Sequence, residues 1–322
     1  MPAATTHRNA PPSFEPVARR LGLIGAPSDV AAGTRGANLG PEALRVAALE
    51  TALTRMGYDV RDHGNLTGPT NPSRPAVDGW RHFDETLAWC RAVRDTVATA
   101  LDRDETPILL GGDHSLSIGS VAAVARHCAR QGRPLSVLWL DAHADFNTHE
   151  TSPSGNVHGM PVAVMCGDGH PDLLDLGHAT PMIDPARVFQ VGVRSVDSVE
   201  KRRIVERGLV IHDMRRIDEV GMRGVMTEVL ETIDRTGGHL HVSFDLDFVD
   251  PDVAPGVGTP VLGGPTWREA QLCMEMIHDS GLLGSLDVVE INPALDIHNR
   301  TAELAVELIK SLFGETILAR VG

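Results

Sequence analysis

Residues 135–147 read LSVLWLDAHADFN: an apolar run, Leu135–Leu140, followed by Asp141, His143 and Asp145 at alternate positions. A continuous apolar run of this length suits a strand covered on both faces, as in a parallel sheet packed between helices. In extended chain, residues two apart point the same way, so the three ligand-type side chains converge on one side. Open α/β sheets bind ligands beyond the carboxyl ends of their strands, which is where this triplet falls.

Similar runs recur along the chain. Strands are predicted at Arg20–Gly25, Tyr58–Asp62, Pro107–Leu110, Leu135–Leu140, Val188–Val193, Leu209–His212, His239–Phe244 and Leu286–Ile291. Between them the apolar spacing predicts helices at Pro41–Met56, Trp80–Leu101, Ser115–Gln131, Val225–Arg235, Trp267–Asp279 and Arg300–Phe313. Pro41 suits a first helical turn, and Gly57 suits the position past an end. This alternation predicts a single-domain, three-layer α/β/α fold with a mostly parallel sheet. Gly64–Gly79 and Asn147–Gly159 read as polar loops.

Two further segments repeat the ligand pattern. The strand His239–Phe244 runs into Asp245 and Asp247, two carboxylates that would repel each other unless a cation lay between them. Gly111-Gly112-Asp113-His114-Ser115 follows the strand Pro107–Leu110; its glycines suggest a tight turn presenting His114, while Asp113 or Ser115 could simply cap the next helix. His114, Asp141, His143, Asp145, Asp245 and Asp247 together form a donor set of imidazoles and carboxylates without thiolate. Such a set suits a pair of hard divalent ions, Mn²⁺ foremost, rather than structural zinc. Two such ions about 3.5–4 Å apart can share a water and lower its pKa. The surplus of negative charge favours a cationic electrophile.

Composition narrows the field. The 322 residues carry 29 Lys+Arg against 43 Asp+Glu, a formal net charge of −14, which opposes nucleic acid and anionic membranes. Aromatic residues make up only 4%, too few for a base-stacking platform. A 42% hydrophobic content supports a large core, yet no stretch approaches the length of a membrane span. Residues 1–19, with Pro2, Pro11, Pro12 and Pro16, read as a disordered leader before a catalytic domain at 20–322, and the prolines oppose a transit-peptide helix. Cys90, Cys128, Cys166 and Cys273 form no C-x-x-C pair and suit reduced thiols in the cytoplasm.

The pieces GGDHS (111–115), DAHADFN (141–147), SGNVHGMPV (154–162), SFDLDFVDP (243–251), GTPVLGG (258–264) and EINP (290–293), in this order, resemble the ureohydrolase family, and within it the arginases. The resemblance covers nearly the whole chain after Arg20. It implies one α/β domain around a parallel sheet of about eight strands, and hydrolysis of L-arginine to L-ornithine and urea at a centre of two Mn²⁺ per subunit. By position, Asp141 and Asp245 would bridge both metals, with His114 and Asp145 completing one site and His143 and Asp247 the other. A metal-bridging hydroxide would attack the guanidinium carbon. His158 matches the proton-shuttle histidine, and Glu290 is assigned to the substrate guanidinium. Asn147, Ser154 and Asn156 would grip the α-carboxylate, Asp197 and Glu200 the α-amino side, and Thr259 would line the pocket. From the residues alone, Asp197 and Glu200 serve equally well as a charge pair at a helix N-terminus. The family's usual assembly implies a homotrimer or homohexamer.

Departures from the commoner family pattern are Ala144, Phe146 and Phe248, the last of which either packs below the site or shortens the pocket. Competing readings are a ureohydrolase for agmatine or a guanidino acid, a catalytically silent metal-binding homologue, and a dimetal phosphoesterase. The last is suggested by Gly155–His158 and by GHLH at 238–241, but the motif order is wrong, the site lacks basic residues for phosphate, and His239 and His241 read as framework.

Overall fold

The computed structural model describes residues 19–318. Eight strands form one sheet: β1 (Arg20–Ala26), β2 (Asp59–Asn65), β3 (Thr106–Gly111), β4 (Leu135–Leu140), β5 (Val188–Val193), β6 (Val210–Asp213), β7 (His239–Asp245) and β8 (Leu283–Val289). Their order is β2-β1-β3-β8-β7-β4-β5-β6, and every pairing is parallel. The expected three-layer α/β/α architecture is therefore present. The leader expected at 1–19 lies outside the described residues except for Arg19, whose Nε donates to Thr106 Oγ1 at 3.0 Å.

Alternation along the strands splits the core in two. Leu21, Leu23, Ile108, Leu110, Leu138 and Leu140 face one helical layer, with the helices Met214–Thr236, Trp267–Ser280 and Arg300–Leu312. Ile24, Leu109, Val137 and Trp139 face the other, with Phe83–Asp102 and Ser117–Gln131. Strands β3, β4 and β7 are buried at every position, as both-face coverage requires. The edge strand β2 carries Asp59, Arg61, Asp62 and His63, a charged composition that discourages further strand pairing.

Several boundaries differ from the sequence expectation. The helix expected at Pro41–Met56 is two helices, Gly40–Val46 and Leu49–Arg55, broken at Ala48 with φ +64°. A straight helix would turn Leu44 and Leu49 well apart; the break lets both bury fully. The last strand runs over Leu283–Val289 rather than to Ile291, because Glu290 adopts φ +62° and turns the chain away. Ahead of the helix expected from Val225, helical chain already starts at Met214, capped by Asp213, and the two helical segments meet at Gly221, whose φ of +76° and ψ of +157° are not helical. The helix Ser198–Arg207 is anticipated only through its N-terminus at Asp197 and Glu200; only Glu200 is buried on it, so no buried apolar stripe marks its length. Gly111 and Gly112 do not adopt positive φ. They are needed for close approach: a Cβ on Gly112 would lie 1.7 Å from Ser28 O.

Phe248 packs below the site and does not line the pocket. It is fully buried, meets Phe244 edge-on at 6.2 Å, and lies where a Cβ on Gly192 would come within 2.4 Å of its ring. Truncation to Ala leaves a cavity under the turn that carries Asp247. Phe248→Ala is expected to lower unfolding free energy by about 3–5 kcal/mol in denaturant titrations; unchanged stability would contradict this packing role.

Candidate metal centre and substrate pocket

The four central strands deliver the site. β3 leads to His114, β4 to Asp141, His143 and Asp145, β7 to Asp245 and Asp247, and β8 to Glu290. Because these strands are adjacent and parallel, four segments far apart in sequence end side by side. All six predicted metal-binding side chains come together here.

Two groups of donor atoms lie close enough to hold an ion each: His114, Asp141 and Asp245, and Asp141, His143 and Asp247. Asp141 is common to both groups, whereas Asp245 sits with His114. His114 Nδ1 lies 3.0 Å from Asp141 Oδ2, 3.0 Å from Asp245 Oδ2 and 3.3 Å from Asp145 Oδ2. This nitrogen is buried without a hydrogen-bond partner, aimed at carboxylate oxygens. An orphaned imidazole nitrogen among carboxylates fits a divalent cation.

Backbone donors fix how the carboxylates point. Asp141 Oδ1 accepts from His143 N at 2.6 Å, Asp245 Oδ1 from Asp247 N at 2.7 Å, and Asp247 Oδ1 from Ala142 N at 3.0 Å. Each Oδ1 is held; Oδ2 of Asp245 and Asp247 then turns toward a histidine, while Asp141 faces His114 through Oδ2 and His143 through Oδ1, at 3.0 and 3.4 Å. Side chains outside the predicted set complete the support. Trp139 stacks on His114 with ring centroids 4.0 Å apart, and its indole N–H donates to Asp141 Oδ2 at 2.9 Å. Ser243 Oγ lies 2.9 Å from His114 Nε2, fixing the other ring nitrogen. The alternation rule could have found both, since Trp139 and Ser243 stand two residues before Asp141 and Asp245 and pair with each other across β4 and β7.

Electrostatics reflect the crowding. Burial and the neighbouring Asp141 carboxylate push Asp145 well above the usual range, and burial with Asp247 and Asp141 does the same to Asp245. Burial opposes charge on His143, yet Asp247 and Asp141 outweigh it and push the imidazole up to about 12. His114 is raised to about 9 because Asp141 and Asp145 overcome the same penalty. Arg194 lies behind Asp247 and donates to the backbone carbonyls of Gly192, Asp247, Phe248 and Val261, tying this turn to the Thr259 loop.

Above the carboxylates lies a cavity of about 220 Å³. Every predicted catalytic and substrate-binding residue lines it: Asn147, Ser154, Asn156, His158, Asp197, Glu200, Thr259 and Glu290. Ser152, Pro153 and Ser195 also line it and were not singled out from the sequence. His158 Nδ1 meets Glu290 Oε1 at 3.0 Å, and the same oxygen accepts from His114 N at 2.8 Å. Glu290 Oε2 is buried and unpartnered. Burial alone would raise Glu290, but His158 holds it below the usual carboxylate range; Glu290 in turn raises His158 against its burial penalty. Asp197 caps the helix Ser198–Arg207 through Val199 N and Glu200 N, its other carboxylate oxygen accepts from Asn147 Nδ2 at 2.9 Å, and the residue also lines the cavity. Glu200 accepts from Phe146 N at 2.8 Å, and burial pushes it up to about 7. Thr259 Oγ1 donates to Asp247 Oδ2 at 3.2 Å. His239 and His241 are framework: both meet Ser285 Oγ, at 2.9 and 2.8 Å, and His241 pairs with Asp287.

An arginase of Bacillus caldovelox is 44% identical over 306 residues, covering 92% of this chain and 99% of that one. The solved native structure from the same organism superposes with a TM-score of 0.89 at 41% identity, over 93% of this chain and 100% of that one. A hypothetical agmatinase from Burkholderia thailandensis is more distant, with a TM-score of 0.70 at 27% identity over 92% of this chain and 85% of that one. The family model described as the arginase family matches residues 19–314. A match of that extent, with relatives this similar over nearly their whole length, means that the chain belongs to the arginase family.

Proposed function

We propose that this chain hydrolyses L-arginine to L-ornithine and urea, using two Mn²⁺ held by His114, Asp141, His143, Asp145, Asp245 and Asp247. The observation that carries the reading is the anionic floor beneath a pocket of amides and hydroxyls, together with the arginases among its relatives. When bound, the cations supply Lewis acidity and lower the pKa of a water that they share.

The protein's own groups then divide the substrate between them. Glu290 Oε2, buried and unpartnered, offers a carboxylate oxygen to a guanidinium. Its Oε1 orients His158, whose raised pKa keeps a proton on the imidazole for the departing amine. Ser154 and Asn156 present neutral donors to an α-carboxylate, which can be held beside so many negative groups only without adding another. Asp197 and Glu200 face the α-ammonium. Agmatine lacks the carboxylate and would leave those donors unpaired. The four buried free cysteines are consistent with a cytoplasmic setting, and among the described residues no helix is long and apolar enough to cross a membrane. Family membership supports a homotrimer or homohexamer, which sedimentation would test.

Urea release measured side by side with L-arginine, agmatine and 4-guanidinobutyrate should favour arginine; faster turnover of agmatine would overturn the substrate assignment. Asp141→Ala should lose bound metal and urea production together, whereas His158→Ala should keep Mn²⁺ and slow turnover by roughly 10²–10⁴-fold. Retained activity in the first variant, or lost metal in the second, would contradict the assigned roles. Adding Mn²⁺ to metal-free protein at neutral pH should release protons, because the raised carboxyls and imidazoles must give theirs up to coordinate. Calorimetry in buffers of different ionisation enthalpy reads this directly, and no net release would mean that the ligands are other groups.

A further inference from the structure

The pocket loop rests on a segment that never reaches the pocket. Trp80 stacks flat on His149, with ring centroids 4.8 Å apart and planes 13° from parallel. His149 Nδ1 is buried and has no hydrogen-bond partner, so stacking rather than polar pairing places the ring. The neighbouring Arg81 N donates to Gly155 O at 2.9 Å. Gly79 packs so tightly against the loop that a Cβ there would lie 2.1 Å from His149 O, and a Cβ on Gly155 would lie 2.9 Å from Gly79 O. The two contact points, His149 and Gly155, bracket Ser152, Pro153 and Ser154, whose side chains line the cavity.

Trp80 is itself firmly placed. Two backbone hydrogen bonds join it to Val77, at 2.8 and 2.9 Å, and Phe83 and His170 meet it edge-on at 5.2 and 6.0 Å. The indole is 9% exposed, and neither Trp80 nor His149 lines the substrate cavity. Within the loop the hydrogen bonds are short-range, such as Thr148 N to Thr151 Oγ1 and Gly155 N to Ser152 Oγ. Such bonds shape the loop but do not anchor its middle to the body of the protein.

We propose that the Trp80–His149 stack is a positioning clamp that sets substrate specificity, holding Ser152–Asn156 in the conformation that receives the carboxylate end of an amino-acid substrate. This rests on the reading that the loop grips the α-carboxylate. A loop held in its binding conformation loses less freedom when substrate arrives, so the clamp contributes to affinity for the group that the loop contacts. It makes no contact with Glu290 or His158, whose own pairing at 3.0 Å serves the guanidinium end.

The test is steady-state kinetics of the Mn²⁺-loaded full chain with His149→Ala and His149→Phe, alongside Ser154→Ala and Asn156→Ala. His149→Ala should raise KM for L-arginine about 3–10-fold, the scale of one aromatic pair, with kcat within twofold of wild type. His149→Phe keeps a flat ring on Trp80 and should restore KM. The apparent affinity for agmatine, read as KM or as a competitive inhibition constant, should not move in either variant. An unchanged arginine KM in His149→Ala, while Ser154→Ala and Asn156→Ala raise it, would overturn the clamp and leave the loop's role standing. Unchanged KM in all three would overturn the carboxylate reading itself. An equal loss for arginine and agmatine, or a fall in kcat alone, would make the stack a general support and refute a specificity role.

Discussion

Four aspartates share a volume from which water is almost excluded: Asp141, Asp145, Asp245 and Asp247 are all less than a tenth exposed. Like charges at such separations in a low-dielectric setting repel strongly, so the arrangement persists only if positive charge enters it. Protons on the raised carboxyls and imidazoles supply that charge in one way, and divalent cations supply it in another. The backbone N–H groups that hold Oδ1 of Asp141, Asp245 and Asp247 keep these three carboxylates facing the cluster instead of rotating away. Affinity for cations is thus the reverse side of a repulsion that the fold imposes.

The sheet imposes it by placing β3, β8, β7 and β4 next to one another in the middle, so that four carboxyl ends open on one point. Two of the site's residues, Asp145 and Glu290, adopt positive φ, at +49° and +62°. Non-glycine residues enter that region at a cost, which the surrounding packing must cover. In both cases the unusual backbone lies where chain leaves a strand or turn and a carboxylate has to face back into the cluster.

Around this floor the pocket divides into zones of different chemistry. The β8 exit and the His158 turn form one wall, joined by the Glu290–His158 pair. Asn147, Asp197 and Glu200 form another, where one helix N-terminus serves both capping and the cavity. The Ser152–Asn156 loop also lines the cavity and is braced by the Trp80–His149 stack and by Arg81 N on Gly155 O.

Much of this could be read from residue order. Apolar runs ending in D-x-H-x-D and D-x-D reveal strands, their direction and the ligand set, because period-two alternation is a local property of extended chain. Sequence also marks Asn147, Ser154, Asn156 and Thr259 through the family resemblance. It could not reveal the break at Ala48, since nothing local separates a straight helix from two short ones that must both reach the same core. Nor could it place Phe248, which lies against Gly192 from a strand on the other side of β4. The helix Ser198–Arg207 was signalled only by Asp197 and Gly208 at its ends. The Trp139–His114 stack, most of the Arg194 ties and the Trp80–His149 stack join residues far apart in the chain, although alternation alone places Trp139 and Ser243 on the same side as Asp141 and Asp245. Sequence marked the candidate groups; strand order alone decided which of them meet, because contact across a sheet depends on how distant segments pair.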